Sequence, residues 1–124
     1  MSVQVNHYVT HGLMLPYKEA MNTMLTYGGV EDEDDAYDFY EPYLDSAFEG
    51  IKHHNGLCVL SDGMNGKYFF VGRVLAKTDN YEGFDEPMEI PTLDKAGDDV
   101  LQELIKAKLG LEGEIKSYVI SHYR

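Results

Sequence analysis

The chain has 124 residues, 44% of them apolar, with ten tyrosines and five phenylalanines, which is enough to bury the core of a single folded domain over residues 1–124. Its formal net charge is −12, which argues against a broad basic patch and so against direct binding of DNA or RNA phosphate. Cys58 is the one cysteine, so an intrachain disulfide is excluded and a reducing, cytoplasmic setting is expected.

The opening MSVQVNHYVTHG has neither the basic nor the apolar region of a signal peptide, and no apolar run approaches membrane-spanning length. From Val3 to Leu15 the chain alternates. Val3, Val5, Val9, Leu13 and Leu15 share one parity with His7 and His11, while Gln4, Asn6, Tyr8, Thr10 and Gly12 take the other. Period two predicts a strand with one buried face. Pro16 ends it and suits the first turn of a helix, in which Tyr17, Ala20, Met21, Met24 and Leu25 form an apolar stripe closed by Gly28 and Gly29.

Residues 28 to 50, GGVEDEDDAYDFYEPYLDSAFEG, hold nine acids and no Lys or Arg. They carry −9 of the net charge; the other 101 residues have thirteen acids and ten bases. Tyr40, Tyr43, Leu44, Ala47, Phe48 and Ile51 keep helical spacing. Pro42 belongs in a first turn, so the sequence predicts a short acidic helix from near Glu41, with 29–37 mostly loop.

Residues 57 to 77, LCVLSDGMNGKYFFVGRVLAK, place two β-prone runs around Asp62-Gly63 and Asn65-Gly66, which predicts a β-hairpin. Those glycines serve turn geometry; a P-loop would need a following helix and a GKS or GKT ending. TDNYEGFDEPMEIPT, residues 78 to 92, reads as a long exposed loop. Leu93, Ala96, Val100, Leu101, Leu104, Ile105 and Leu109 then mark a second strong helix, acidic at its start, basic at its end and capped by Gly110. Residues 114 to 123 give a last strand. Without the short acidic helix the order is βαββαβ. This predicts an α+β, ferredoxin-like sandwich, a four-stranded antiparallel sheet with two helices on one face, and an extra acidic helix inserted after the first.

The acids do not form an EF-hand: Asp32 and Asp34 take the first and third positions, but Ala36 stands at the fifth and Tyr37 where the glycine is needed. On a continuous helix Asp38, Glu41, Asp45 and Glu49 would fall within about 80° of one another, rising ~5–6 Å per step, close to the phosphate spacing of a nucleic-acid strand. Such a row suits a basic groove built for nucleic acid; the plain alternative is a solvated polar face. Tyr37, Tyr40 and Tyr43 are the candidate anchors beside it.

His7 and His11 would stand ~13 Å apart on a strand, too far for one metal, so no metal is expected, and no cofactor is implied. Cys58, within LCVL, reads as a small buried hydrophobe, and no named catalytic motif occurs.

SDGMNGKYFFVGRVLAK followed by TDNYEGF resembles segments of small uncharacterised accessory proteins of tailed bacteriophages, and VNHYVTHGLMLPY is similar in kind. The resemblance covers about a third of the chain and brings no catalytic residue with it. It implies an accessory protein in the cytoplasm of an infected bacterium that binds host machinery. The expected function is thus a small acidic interaction protein for a basic protein surface, such as that of a host nucleic-acid-binding protein. Two alternatives stand beside it: a small-molecule or nucleotide site on an exposed sheet face, lined by His7, His11, Tyr8 and Tyr68, and a structural or virion component that oligomerises through an open sheet edge or the acidic helix.

Overall fold

The computed structural model describes residues 5–46, 50–63, 65–78, 83–84, 86–87, 89–90 and 94–123. The elements are β1 (Val5–Pro16), α1 (Tyr17–Gly28), α2 (Glu33–Tyr40), a single 3-10 turn (Glu41–Tyr43), β2 (Cys58–Ser61), β3 (Tyr68–Thr78), α3 (Lys95–Leu109) and β4 (Lys116–Tyr123). Among the described residues the fold is mixed α+β, with one four-stranded antiparallel sheet in the order β2-β3-β1-β4 and three helices. The helices connect strands that are not neighbours: β3 lies between β1 and β2, and β1 between β3 and β4.

Each boundary has a local cause. Gly29 takes a left-handed conformation (φ 66°), and its N–H meets the last carbonyls of α1. The β2–β3 hairpin forms where the sequence places it. The Asp62 carboxylate accepts the N–H groups of Asn65 (3.2 Å) and Lys67 (3.1 Å), which folds the turn around one side chain. Asp94 caps α3 by accepting the Gly97 N–H at 2.7 Å, and Gly110 closes it at φ 73°. Much of the loop expected over 78–92 lies outside the described residues.

The acidic segment differs from expectation. The helix is Glu33–Tyr40, started by Asp32, whose side chain accepts the Asp34 N–H at 3.0 Å. It ends where Pro42 brings no N–H and a fixed φ; a 3-10 turn follows, and Leu44 is extended (ψ 135°). Regular helix therefore precedes Pro42 and does not run through Leu44; residues 47–49, part of the expected helix, lie outside the described residues.

The expectation of one buried face on the first strand is also corrected. The helix-side core joins Leu13, Val59, Phe69 and Val71 of the sheet segments to Ala20, Met21 and Met24 of α1, Ala36 and Tyr40 of α2, and Leu101, Ile105 and Leu109 of α3. A second cluster, on the alternate strand positions, unites Tyr8, Cys58, Leu60, Phe70, Val74 and Ile120. Both faces of the sheet are thus buried. Tyr8 and Thr10 are polar types hidden by their hydrogen bonds, Thr10 donating to the Tyr118 carbonyl at 3.0 Å. Among the described residues no helix is long and apolar enough to cross a membrane.

Candidate functional site

Helix α2 carries Asp34 and Asp38 on the side away from the core. Asp34, Asp38 and Glu41 lie within about 60° of one another at the helical period, roughly opposite Ala36 and Tyr40. All three are exposed, as are Glu31, Asp32 and Asp35. The N-terminal acids suit the positive end of the helix dipole. Asp38 in the last turn and Glu41 just after it do not, and no basic residue sits in that turn.

Six of the seven residues singled out from sequence are described, and they separate into three groups. Asp38, Glu41 and Tyr37 are exposed and share the surface of α2 and the following turn. Tyr40 (5% exposed) and Tyr43 (7%) are core residues, Tyr40 edge-on to Phe69 at 5.1 Å and Tyr43 edge-on to His54 at 5.1 Å. Burial pushes the Tyr40 hydroxyl up to about 12. Tyr37 packs edge-on against Tyr40 at 5.2 Å, which holds the one accessible ring of the three in place. Glu49 lies outside the described residues.

Asp45 leaves the stripe altogether. Its N–H donates to the Val59 carbonyl at 3.1 Å, which lays Leu44 and Asp45 along the edge of β2. Its carboxylate, 1% exposed, pairs with Lys77 at 2.9 Å and accepts the Tyr8 hydroxyl; Cys58 Sγ lies 3.9 Å from it. Lys77 Nζ also donates to the Ser46 carbonyl and sits 5.7 Å from the Tyr8 ring centre. Asp45 ties the segment after the 3-10 turn to the second face of the sheet and is unavailable as a surface charge.

His7, His11, Tyr8 and Tyr68 do not converge. His11 lies on the helix side, bonded to Asp98 of α3 through Nε2 (2.7 Å) and to Ser117 through Nδ1 (2.9 Å), and His7 bonds Ser121 at 2.7 Å. Tyr8 and Tyr68 belong to the opposite face, where Tyr68 bonds His122. That face is filled by its own cluster and gives no exposed floor at Tyr8, which is fully buried.

Ser117, His11 and Asp98 have the chemical order of a nucleophile relay, and sequence reasoning missed them because they are far apart in the chain. Acyl transfer also needs N–H donors aimed at a developing oxyanion. The α3 amides beside Asp98 are engaged already: Gly97 N–H by the Asp94 carboxylate and Asp98 N–H by the Asp94 carbonyl. The trio instead ties β4, β1 and α3 together. Among the described residues no three His, Cys, Asp or Glu side chains converge as metal ligands.

A groove of about 260 Å³ lies between the second half of α3 and the segment leading into β4, floored by Leu13, Leu111 and Ile115 and rimmed by Gln102, Lys106 and Glu112. Two contacts close its rim: Gln102 donates to the Gly113 carbonyl at 2.8 Å, and Lys106 pairs with Glu112 at 2.6 Å.

No family model, no curated protein and no solved structure matches the chain.

Proposed function

We propose that this protein is a small interaction module that binds a basic protein surface through the acidic side of α2. The observation that carries the reading is the exposed set Asp34, Asp38 and Glu41, on a helix fixed to the core by Ala36 and Tyr40. A rigid helix holds its charges at set spacings, so a basic partner meets them without first ordering them. Tyr37, 44% exposed at the border of this surface, supplies an aromatic contact. The finer fold reading behind the proposal is a ferredoxin-like sandwich; the order β2-β3-β1-β4 and the two helical crossovers support it. The setting proposed is the cytoplasm of a phage-infected bacterium, on the strength of the hairpin resemblance, with a host nucleic-acid-binding protein as the partner class.

The test compares wild type with an Asp34→Asn, Asp38→Asn, Glu41→Gln variant as bait in bacterial lysate, at low and moderate salt. Asp45 stays unchanged because it is part of the core network. A basic protein held by the wild type, shed as salt rises and absent from the variant is the expected result. Equal retention by both baits, or none by either, would overturn the reading.

A further inference from the structure

We infer that His53 is a pH-operated plug on β3: its neutral ring stands in for a missing strand residue opposite Val74, and acid withdraws it, freeing residues 50–53 while 54–57 stay anchored. The device lies apart from the acidic side of α2, and its test reads out whether or not α2 binds a basic protein.

The register shows what His53 replaces. β2 pairs with β3 from Ser61 opposite Phe69 to Cys58 opposite Gly72. The Asp62 N–H donates to the Tyr68 carbonyl at 3.0 Å. In an antiparallel ladder the hydrogen-bonded pairs then recur at every second residue, at 60 with 70, 58 with 72 and 56 with 74. In a longer β2 the Gly56 carbonyl would thus accept the Val74 N–H. That pairing is lost because Asn55 (φ 51°) and Gly56 (φ 79°) turn the chain back in a two-residue hairpin. Bonds between His54 and Leu57 in both directions, at 2.8 and 3.0 Å, close it. β3 meanwhile runs on to Thr78. The Val74 N–H is taken instead by His53 Nε2 at 3.1 Å, a side chain supplying the acceptor that the backbone has turned away.

This bond needs a lone pair on Nε2. Protonation makes that nitrogen a donor facing a donor, and the contact ends. Protons reach the ring, since His53 is exposed overall. Lys52 and His54 flank it in the chain, and the His54 ring lies edge-on to Tyr43. Burial of the bonded ring opposes its protonation most, the Arg73 charge on β3 adds to this, and Asp45 favours it. A ring released into water binds its proton at the ordinary 6.5, so falling pH draws the plug toward its open state.

The part that moves is also marked. Leu57 is fully buried and the His54 ring stands 5.1 Å from that of Tyr43, which holds 54–57 to the body. Residues 50–53 are all exposed and belong to no helix or strand, and Gly50 has open space around it. Withdrawal of His53 swings 50–53 on the fixed turn and leaves the Val74 N–H to water.

The experiment follows amide exchange of wild type and His53→Gln between pH 7 and pH 5, as protection factors that remove the intrinsic pH dependence of exchange. Val74 is the reporter, and Phe70, opposite Leu60 in the same hairpin, is the control. In the wild type the protection of Val74 is expected to fall severalfold with acid while that of Phe70 holds. Over the same range the nitrogen chemical shift of His53 Nε2 is expected to pass from acceptor to protonated donor. The glutamine oxygen accepts without titrating, so Val74 protection in His53→Gln is expected to be flat with pH. A flat wild-type profile at Val74 overturns the inference. So does a fall that Phe70 shares, or one that persists in His53→Gln. Should His53→Gln fail to fold, the wild type decides alone: loss at Val74 that tracks the His53 titration supports the plug, and loss in a range where that ring does not titrate overturns it.

Discussion

Asp45 and Lys77 form an ion pair at 2.9 Å with their side chains only 1% and 7% exposed, and this pair joins the acidic segment to the far end of β3. Two charges removed from water are tolerable only while each has the other. Replacing one leaves a buried, uncompensated charge. Asp45→Leu or Lys77→Met alone is expected to cost about 3–5 kcal/mol, whereas the apolar pair Asp45→Leu with Lys77→Met is expected to recover most of the loss. Urea unfolding of the four proteins completes the cycle. Additive losses in the double variant would mean that the two side chains act independently.

His53 ties the chain to β3 by accepting the Val74 N–H at Nε2, 3.1 Å away. Burial lowers its affinity for a proton below the ordinary value of 6.5, and the Arg73 charge adds to this; Asp45 acts in the opposite sense. The folded state therefore favours neutral imidazole. The contribution is complete above pH 6.5 and declines as pH falls, because the unfolded chain takes up the proton first. His53→Gln, a neutral acceptor, is expected to lose less stability than wild type between pH 7 and pH 5. Parallel pH profiles for the two proteins would show that His53 makes no such contribution.

Much of the fold is legible in the chain because the signals are local. The Asp62 turn, the Gly29 and Gly110 helix ends and the stripes of α1 and α3 each depend on residues within a few positions. The acidic helix is misplaced for a similar reason. Pro42 does break the helix, but the spacing of Tyr40, Tyr43 and Leu44 fits a helix beyond it as well as a helix that ends before it in a 3-10 turn. Among so many acids, Asp32 is not distinguished as the cap. The Asp45–Lys77 and Ser117–His11–Asp98 ties have no sequence signature, since their partners come from different elements. Of the candidate site, Asp38, Glu41 and Tyr37 are legible as surface residues, whereas period alone does not separate them from Tyr40 and Tyr43.

Gly12 and Gly72 face each other across β1 and β3 beneath the Phe70 ring. A β-carbon at Gly12 would stand 2.7 Å from the Gly72 Cα and 2.9 Å from Phe70 Cζ, and nearer still to the Val71 carbonyl oxygen. The obstacle is mostly backbone of the central strands, which cannot yield by a rotamer change. Gly12→Ala is expected to destabilise the protein by about 1–3 kcal/mol through overpacking. Gly50, with open space around it, is the control: Gly50→Ala is expected to stay within about 0.5 kcal/mol. Thermal unfolding of the two variants distinguishes close strand approach from a general intolerance of side chains at glycine.

The acids at the end of α2 work against the helix that displays them. Asp38 faces the negative end of the helix dipole and Glu41 adds a like charge one turn on, with no base in the last turn. Asp38→Asn with Glu41→Gln is therefore expected to raise stability, by about 0.3–1 kcal/mol at low ionic strength, and by less as salt screens the repulsion. Asp34→Asn, near the positive end, is expected to be neutral or to lower it. Chemical denaturation at two salt concentrations measures both. A gain at positions 38 and 41 together with loss of partner capture would show that this surface keeps charges that folding alone does not favour. A loss of stability there would mean that the acids hold the helix in place, and would remove that support from the binding role.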